Sequence, residues 1–151
     1  MLDLYRELQR LAEALDTDGI AYALVGGLAV SIYTTPRATE DIDVMVAPED
    51  VGRLVAAVER LGFRPAGAPM RLAGGRLQIQ RLTKFEGSDL LPLDVLFTAD
   101  PELRMTLDER REILWEGRRL WIVNVDGLRV LKRLRGSTRD RADLEALGGE
   151  S

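Results

Sequence analysis

Residues 41–46 read Asp41-Ile42-Asp43-Val44-Met45-Val46, and these six positions decide what kind of domain the chain forms. Ile42, Val44 and Val46 alternate with polar or less committed neighbours, the pattern of a β-strand, in which side chains two apart share a face. The branched residues therefore enter a core while the carboxylates of Asp41 and Asp43 stand side by side. Like charges so placed repel each other, and a divalent cation ligated by both is the least strained remedy. A solvated pair of aspartates at a strand end is the plainer reading of so short a motif. The rest of the chain has to choose between them.

Downstream, Leu91-Pro92-Leu93-Asp94-Val95-Leu96-Phe97 puts Leu93, Val95 and Phe97 on one face and Asp94 on the other. If this strand lies beside that of Asp41 and Asp43, three carboxylates converge, an arrangement suited to two magnesium ions. Asp94 could equally pair with an arginine at a sheet edge. Upstream, Gly26-Gly27 closes an apolar strand over 20–25 and opens a helix over 28–33. Such a junction lets a phosphate approach the backbone at a helix N-terminus, although glycine pairs also make ordinary tight turns. The order strengthens the functional reading: a glycine pair after the first core strand, Asp-x-Asp on the next strand after thirteen intervening residues, and a lone aspartate on a later one.

Around these motifs the periodicity predicts an amphipathic helix over 2–15 and a helix from Pro48 carrying Val51, Leu54, Val55, Val58 and Leu61. Gly62 to Gly75, rich in glycine and proline, fits an irregular strand, a hairpin or a loop. Strands are predicted over 77–85 and 91–97, joined by the turn-like Glu86-Gly87-Ser88-Asp89 as a hairpin. A helix is predicted over 101–113 and a short strand over 120–123. Asp126 is placed to cap a helix bearing Leu128, Leu131 and Leu134. Ser137 and Asp140 fit a capping box for a last helix ending at Gly148-Gly149. The sum is one α/β (α+β) domain over 1–151, a mixed twisted β-sheet flanked by helices, with C-terminal helices.

Composition narrows the chemistry. With neither cysteine nor histidine among 151 residues, disulfides, thiolate nucleophiles, the usual structural zinc and the commonest general base are all missing. What remains is carboxylates, hydroxyls and cations, and carboxylate oxygens favour magnesium, manganese or calcium. A net charge of -4 argues against nucleic-acid binding through bulk electrostatics. The basic run Arg129, Lys132, Arg133, Arg135, Arg139 and Arg141 could line a groove for nucleotide or RNA backbone, or form a solvated helix surface with i,i+4 pairs. The apolar stretch 20–31 is too short and too glycine-broken to span a membrane, and the N-terminus has no signal-peptide pattern. A cytoplasmic protein with no membrane association is the expectation.

In Leu24-Val-Gly-Gly-Leu-Ala, Asp41-Ile-Asp-Val and Leu93-Asp-Val the chain resembles the nucleotidyltransferase superfamily related to DNA polymerase beta. The stretch Arg37-Ala-Thr-Glu-Asp-Ile-Asp, Lys132 and the closing Arg139-Asp-Arg-Ala-Asp-Leu-Glu-Ala-Leu resemble small bacterial members grouped with the AbiEii type of toxin-antitoxin systems and their uncharacterised relatives. The resemblance runs from about Ile20 to Leu147. It implies the nucleotidyltransferase fold, two Mg2+ ions (Mn2+ as the alternative) on Asp41, Asp43 and Asp94, and Asp94 as third ligand or general base. It further implies that Gly26 and Gly27 cradle the triphosphate of a nucleotide such as ATP, helped by Ser31, with Arg37 and Lys132, and also Arg139, as phosphate contacts. Where many relatives carry a serine, this chain has Gly27, leaving only backbone donors. The implied reaction moves a nucleoside monophosphate from a nucleoside triphosphate to a hydroxyl of tRNA, protein or a small molecule, and the AbiEii-type resemblance implies the toxin role of a toxin-antitoxin pair. A catalytically silent, antitoxin-like binding protein is the rival reading, and the lack of a second helical domain makes a partner chain or homodimer credible. A phosphate-ester hydrolase using the same metals is a third reading, for which no dedicated water-activating residue beyond the acids is evident.

Overall fold

The computed structural model describes residues 2–34, 40–135, 142 and 145–148. The chain opens with helix α1 (Leu4–Thr17), which Asp3 caps by accepting from the Tyr5 and Arg6 amides, relieving two of the helix's orphan donors. Leu8, Leu11, Ala12 and Leu15 form its buried stripe, and Glu7 is buried with them. That acid is tolerated because the Lys84 ammonium meets both its oxygens at 3.0 and 2.9 Å, meeting the requirement that a buried charge be paired.

Strand β1 (Tyr22–Val25) and helix α2 (Gly26–Tyr33) lead through residues 34–41 to strand β2 (Ile42–Val46). Every residue of β1 and β2 is buried, the signature of strands covered on both faces. After a 3-10 turn at Pro48–Asp50 comes helix α3 (Val51–Glu59). The glycine- and proline-rich stretch beyond it holds two short strands, β3 (Arg64–Pro65) and β4 (Met70–Leu72), then a second 3-10 turn. Both strands pair antiparallel with the long strand β5 (Leu77–Glu86).

Strand β5 and strand β6 (Asp89–Phe97) are the expected hairpin. Glu86 faces Asp89 across a two-residue turn, and Gly87 takes a φ of 59°, the left-handed position such turns require. Helix α4 (Pro101–Asp108), strand β7 (Arg111–Trp115), strand β8 (Arg118–Ile122) and helix α5 (Val125–Arg135) complete the described elements. Among the described residues eight strands form one sheet, in the order β3-β5-β6-β2-β1-β8-β7 with β4 also on β5. Strand β2 lies parallel to β6 and antiparallel to β1, while β1 and β8 are parallel. The mixed α/β fold expected from the sequence is the fold observed.

Two local expectations need correction. The helix anticipated over 101–113 ends at Asp108, and residues 111–115 are strand instead. Helical burial at Leu103, Thr106 and Leu107 gives way to alternation, with Ile113 and Trp115 partly covered and Leu114 82% exposed. The two-residue turn Glu116-Gly117, both at positive φ (50° and 77°), is the hairpin type whose twist matches its strands. The β7–β8 pairing it closes outweighs the helical propensity of residues 109–113. The second correction concerns the start of α5: the Asn124 side chain, not Asp126, accepts from the Gly127 amide at 2.7 Å, and Asp126 instead meets Arg129 at 3.0 Å. The capping box at Ser137 and Asp140 lies outside the described residues.

Candidate active site

The middle of the sheet supplies the site. Because β2 and β6 are parallel and in register at Asp43↔Asp94, two carboxylates of different strands leave the same face side by side. Asp41, just before β2, joins them, and one oxygen from each of the three lies within 4.8 Å of the others. Asp43 and Asp94 are buried and Asp41 half-buried. An octahedral magnesium ion, with ligand distances of about 2.1 Å, spans about 4 Å between opposite oxygens. The donor set therefore fits a hard divalent cation that draws the carboxylates slightly inward.

On the neighbouring strand β1, Val25 pairs with Asp43, and the backbone turns at Gly26 directly beside the Asp43 side chain. Gly26 has a φ of 72°, and a Cβ there would lie 2.1 Å from Asp43 Oδ2. Glycine is thus required twice, by conformation and by space. This gives the glycine pair a specific meaning: Gly26 makes room for the acid, and Gly27 starts the regular part of α2. No side chain caps α2, so its first amides have no capping partner from Val25, the condition under which a helix N-terminus receives an anion.

The remaining candidates divide. Lys132 on α5 is only 4% exposed and lines the same small internal gap as Gly26, Asp43 and Leu131. Ser31 sits one turn into α2 and donates to the Gly27 carbonyl at 3.0 Å, which directs its proton into the helix. It borders a groove shared with Tyr5, Ile32 and Trp115. Arg37 and Arg139 lie outside the described residues, as do Arg135's side chain and Arg141 in the basic run.

Sequence reasoning missed Arg81. It stands opposite Asp94 across the β5–β6 hairpin, with Nε 2.8 Å from Oδ1 and a terminal nitrogen 2.9 Å from Oδ2. The Asp94 hydrogen bonds, and after them its charge, push the guanidinium's already high pKa further up, and Asp41 and Asp43 add to this. The open alternative for Asp94, pairing with an arginine, is therefore realised in the same place as the convergence of acids. The signal was present: once Glu86 and Asp89 are taken to flank a two-residue turn, counting five residues outward on each side puts Arg81 against Asp94.

The chain belongs to the family described as nucleotidyltransferase of unknown function (DUF6036), whose model matches residues 1–148. Its fold is similar to that of the lincosamide antibiotic adenylyltransferase LnuA in its lincomycin-bound form, at a TM-score of 0.66 and 16% identity over 95% of each chain. It is similar too to ANT(2'')-Ia in complex with adenylyl-2''-tobramycin, at a TM-score of 0.65 and 18% identity, covering 94% of this chain and 86% of that one. An antigenic nucleotidyltransferase-like protein from Paracoccidioides brasiliensis matches with a TM-score of 0.63 and 18% identity over 94% of this chain and 72% of its own. No curated protein matches in sequence. No helix among the described residues is long and apolar enough to cross a membrane.

Proposed function

We propose that the protein transfers a nucleoside monophosphate from a nucleoside triphosphate to a hydroxyl acceptor, with magnesium held by Asp41, Asp43 and Asp94. The observation that carries this reading is the meeting of Asp43 and Asp94 from two adjacent strands with Asp41 just before the first of them, beside a bend that only glycine can make. In the reaction the acceptor oxygen forms a bond to the α-phosphorus, the bond from that phosphorus to the bridging oxygen breaks, and pyrophosphate leaves with the electron pair. The acceptor proton passes to Asp94 or to water. Bound magnesium supplies charge neutralisation at the attacking and leaving oxygens. The chain's own residues set the geometry: the α2 N-terminus faces the triphosphate, Lys132 adds positive charge from the buried side of Asp43, and the acids fix where the α-phosphorus can sit. Arg37 and Arg139 complete the cationic surround in this reading, and Ser31 assists from α2.

Of the three acceptor classes, a small hydroxylated molecule is the first to test, since one structural neighbour is by name a lincosamide antibiotic adenylyltransferase and another is in complex with adenylyl-2''-tobramycin. The AbiEii-like motifs favour the toxin position of a two-component system. The test is incubation of the protein with labelled nucleoside triphosphates, magnesium and a cell extract, followed by separation of RNA, protein and small molecules. The fraction that gains label names the acceptor class, and the label should vanish with a chelator and with Asp43→Asn. Absence of magnesium-dependent nucleotide binding would refute the proposal. A biological effect that survives Asp43→Asn would point instead to a binding protein.

A further inference from the structure

Among the described residues Arg81 touches the acid trio, and the transfer reaction gives it no task. Its planar fork engages both oxygens of Asp94 at 2.8 and 2.9 Å, the bidentate geometry that fixes a carboxylate in position and plane. The two partners differ in freedom. The Asp94 side chain is 9% exposed and held in the middle of β6, whereas that of Arg81 is 44% exposed. The guanidinium can therefore swing toward solvent or a ligand while the carboxylate stays where it is.

Those same Asp94 oxygens are the ones a cation at the trio would need. A divalent ion there would face a positive guanidinium across a few ångströms, and Arg81 would have to release at least one oxygen. Phosphate oxygens present the fork with a pattern equivalent to that of a carboxylate. A triphosphate seated at the Gly26 bend would bring them to the face of the sheet that Arg81 shares with Asp43 and Asp94.

We propose that Arg81 is a positioning residue for the third acid: it clamps Asp94 in competition with a divalent cation and exchanges that hold for phosphate oxygens when the nucleotide binds. The inference rests on the transferase reading and adds an order to it. Asp94 joins Asp41 and Asp43 at a cation only once a triphosphate has drawn Arg81 away. Cation and nucleotide then bind cooperatively, because each removes what opposes the other.

The test measures Mn2+ binding by paramagnetic resonance or calorimetry for the wild type, Arg81→Gln, Arg81→Lys and Asp43→Asn. Each is assayed alone and with an α,β-methylene nucleoside triphosphate, and thermal unfolding monitors the fold. Arg81→Gln should bind Mn2+ alone about tenfold tighter than the wild type, and the Mn2+–nucleotide complex about tenfold more weakly, at the lower end of what ligand-supporting residues usually contribute. Arg81→Lys keeps the charge without the fork, so it should show the nucleotide loss with a smaller gain for the cation alone. Should both affinities stay at wild-type values while Asp43→Asn abolishes binding, Arg81 is a structural partner only and the inference fails with the transferase reading intact. Should no form bind Mn2+ even with the nucleotide present, both fail.

Discussion

Replacing Gly26 by alanine puts one methyl group where the structure has no room for it. The new Cβ would stand 2.1 Å from Asp43 Oδ2 and 2.7 Å from its carboxyl carbon, well inside contact distance, and Asp43 is held in a fully buried strand. Two costs add. An L-residue held at a φ of 72° loses roughly 1–2 kcal/mol against glycine, and overpacking a close-packed position costs about 1–3 kcal/mol. Together they predict a loss of about 2–5 kcal/mol, which at a urea dependence of about 2 kcal/mol/M lowers the unfolding midpoint by about 1–2.5 M. Because relief comes most easily from rotating the Asp43 carboxylate, the same variant should bind Mn2+ more weakly under conditions where it is still folded. Gly52→Ala is the control. Gly52 lies in α3 with nothing near its missing Cβ and no positive φ, so alanine there should stabilise by about 0.5 kcal/mol. A Gly26→Ala protein with the wild-type urea midpoint and wild-type Mn2+ affinity would refute the close approach of the bend to Asp43, and with it the site built on that approach.

Other expectations follow from groups away from the acids. Glu7→Gln leaves the Lys84 ammonium buried without its counter-charge and should cost about 3 kcal/mol, whereas Glu7→Leu combined with Lys84→Met should recover most of that loss; equal midpoints for the single and double variants would contradict the pairing. Burial pushes the Tyr22 hydroxyl up to about 12, against a backbone hydrogen bond from Trp121 that pulls it down. Its ionisation is easier in the unfolded chain, so stability is unaffected below pH 10 and falls as pH rises from about 10 to 12. Urea midpoints at pH 9 and pH 11.5 should therefore drop further for the wild type than for Tyr22→Phe, and parallel drops would sink the assignment.

How much of this could be read from residues alone differs from element to element. The acid set was legible because Asp43 and Asp94 each interrupt an otherwise apolar strand, and an acid in such a place needs a partner or an ion. The β5–β6 hairpin was legible because Glu86-Gly87-Ser88-Asp89 separates two alternating runs. The strand at 111–115 was not: its alternation is weak, and the preceding eight residues are genuinely helical, so the pattern ran on through Asp108 without a breaker. Asp126 offered itself as a cap, but Asn124, two residues earlier, has the geometry.

Sequence by itself determined the chemistry available, since a chain without cysteine or histidine has carboxylates as its charged metal ligands and these favour hard cations, and it determined the strands on which Asp43 and Asp94 ride. Only the tertiary structure decided that Asp94 lies in register with Asp43, because parallel pairing between strands joined by more than forty residues depends on how the sheet closes and not on any local signal. It alone decided as well that Gly26 serves as clearance for Asp43. In each case the deciding quantity is a distance between side chains or backbone on different strands, set by register and packing together.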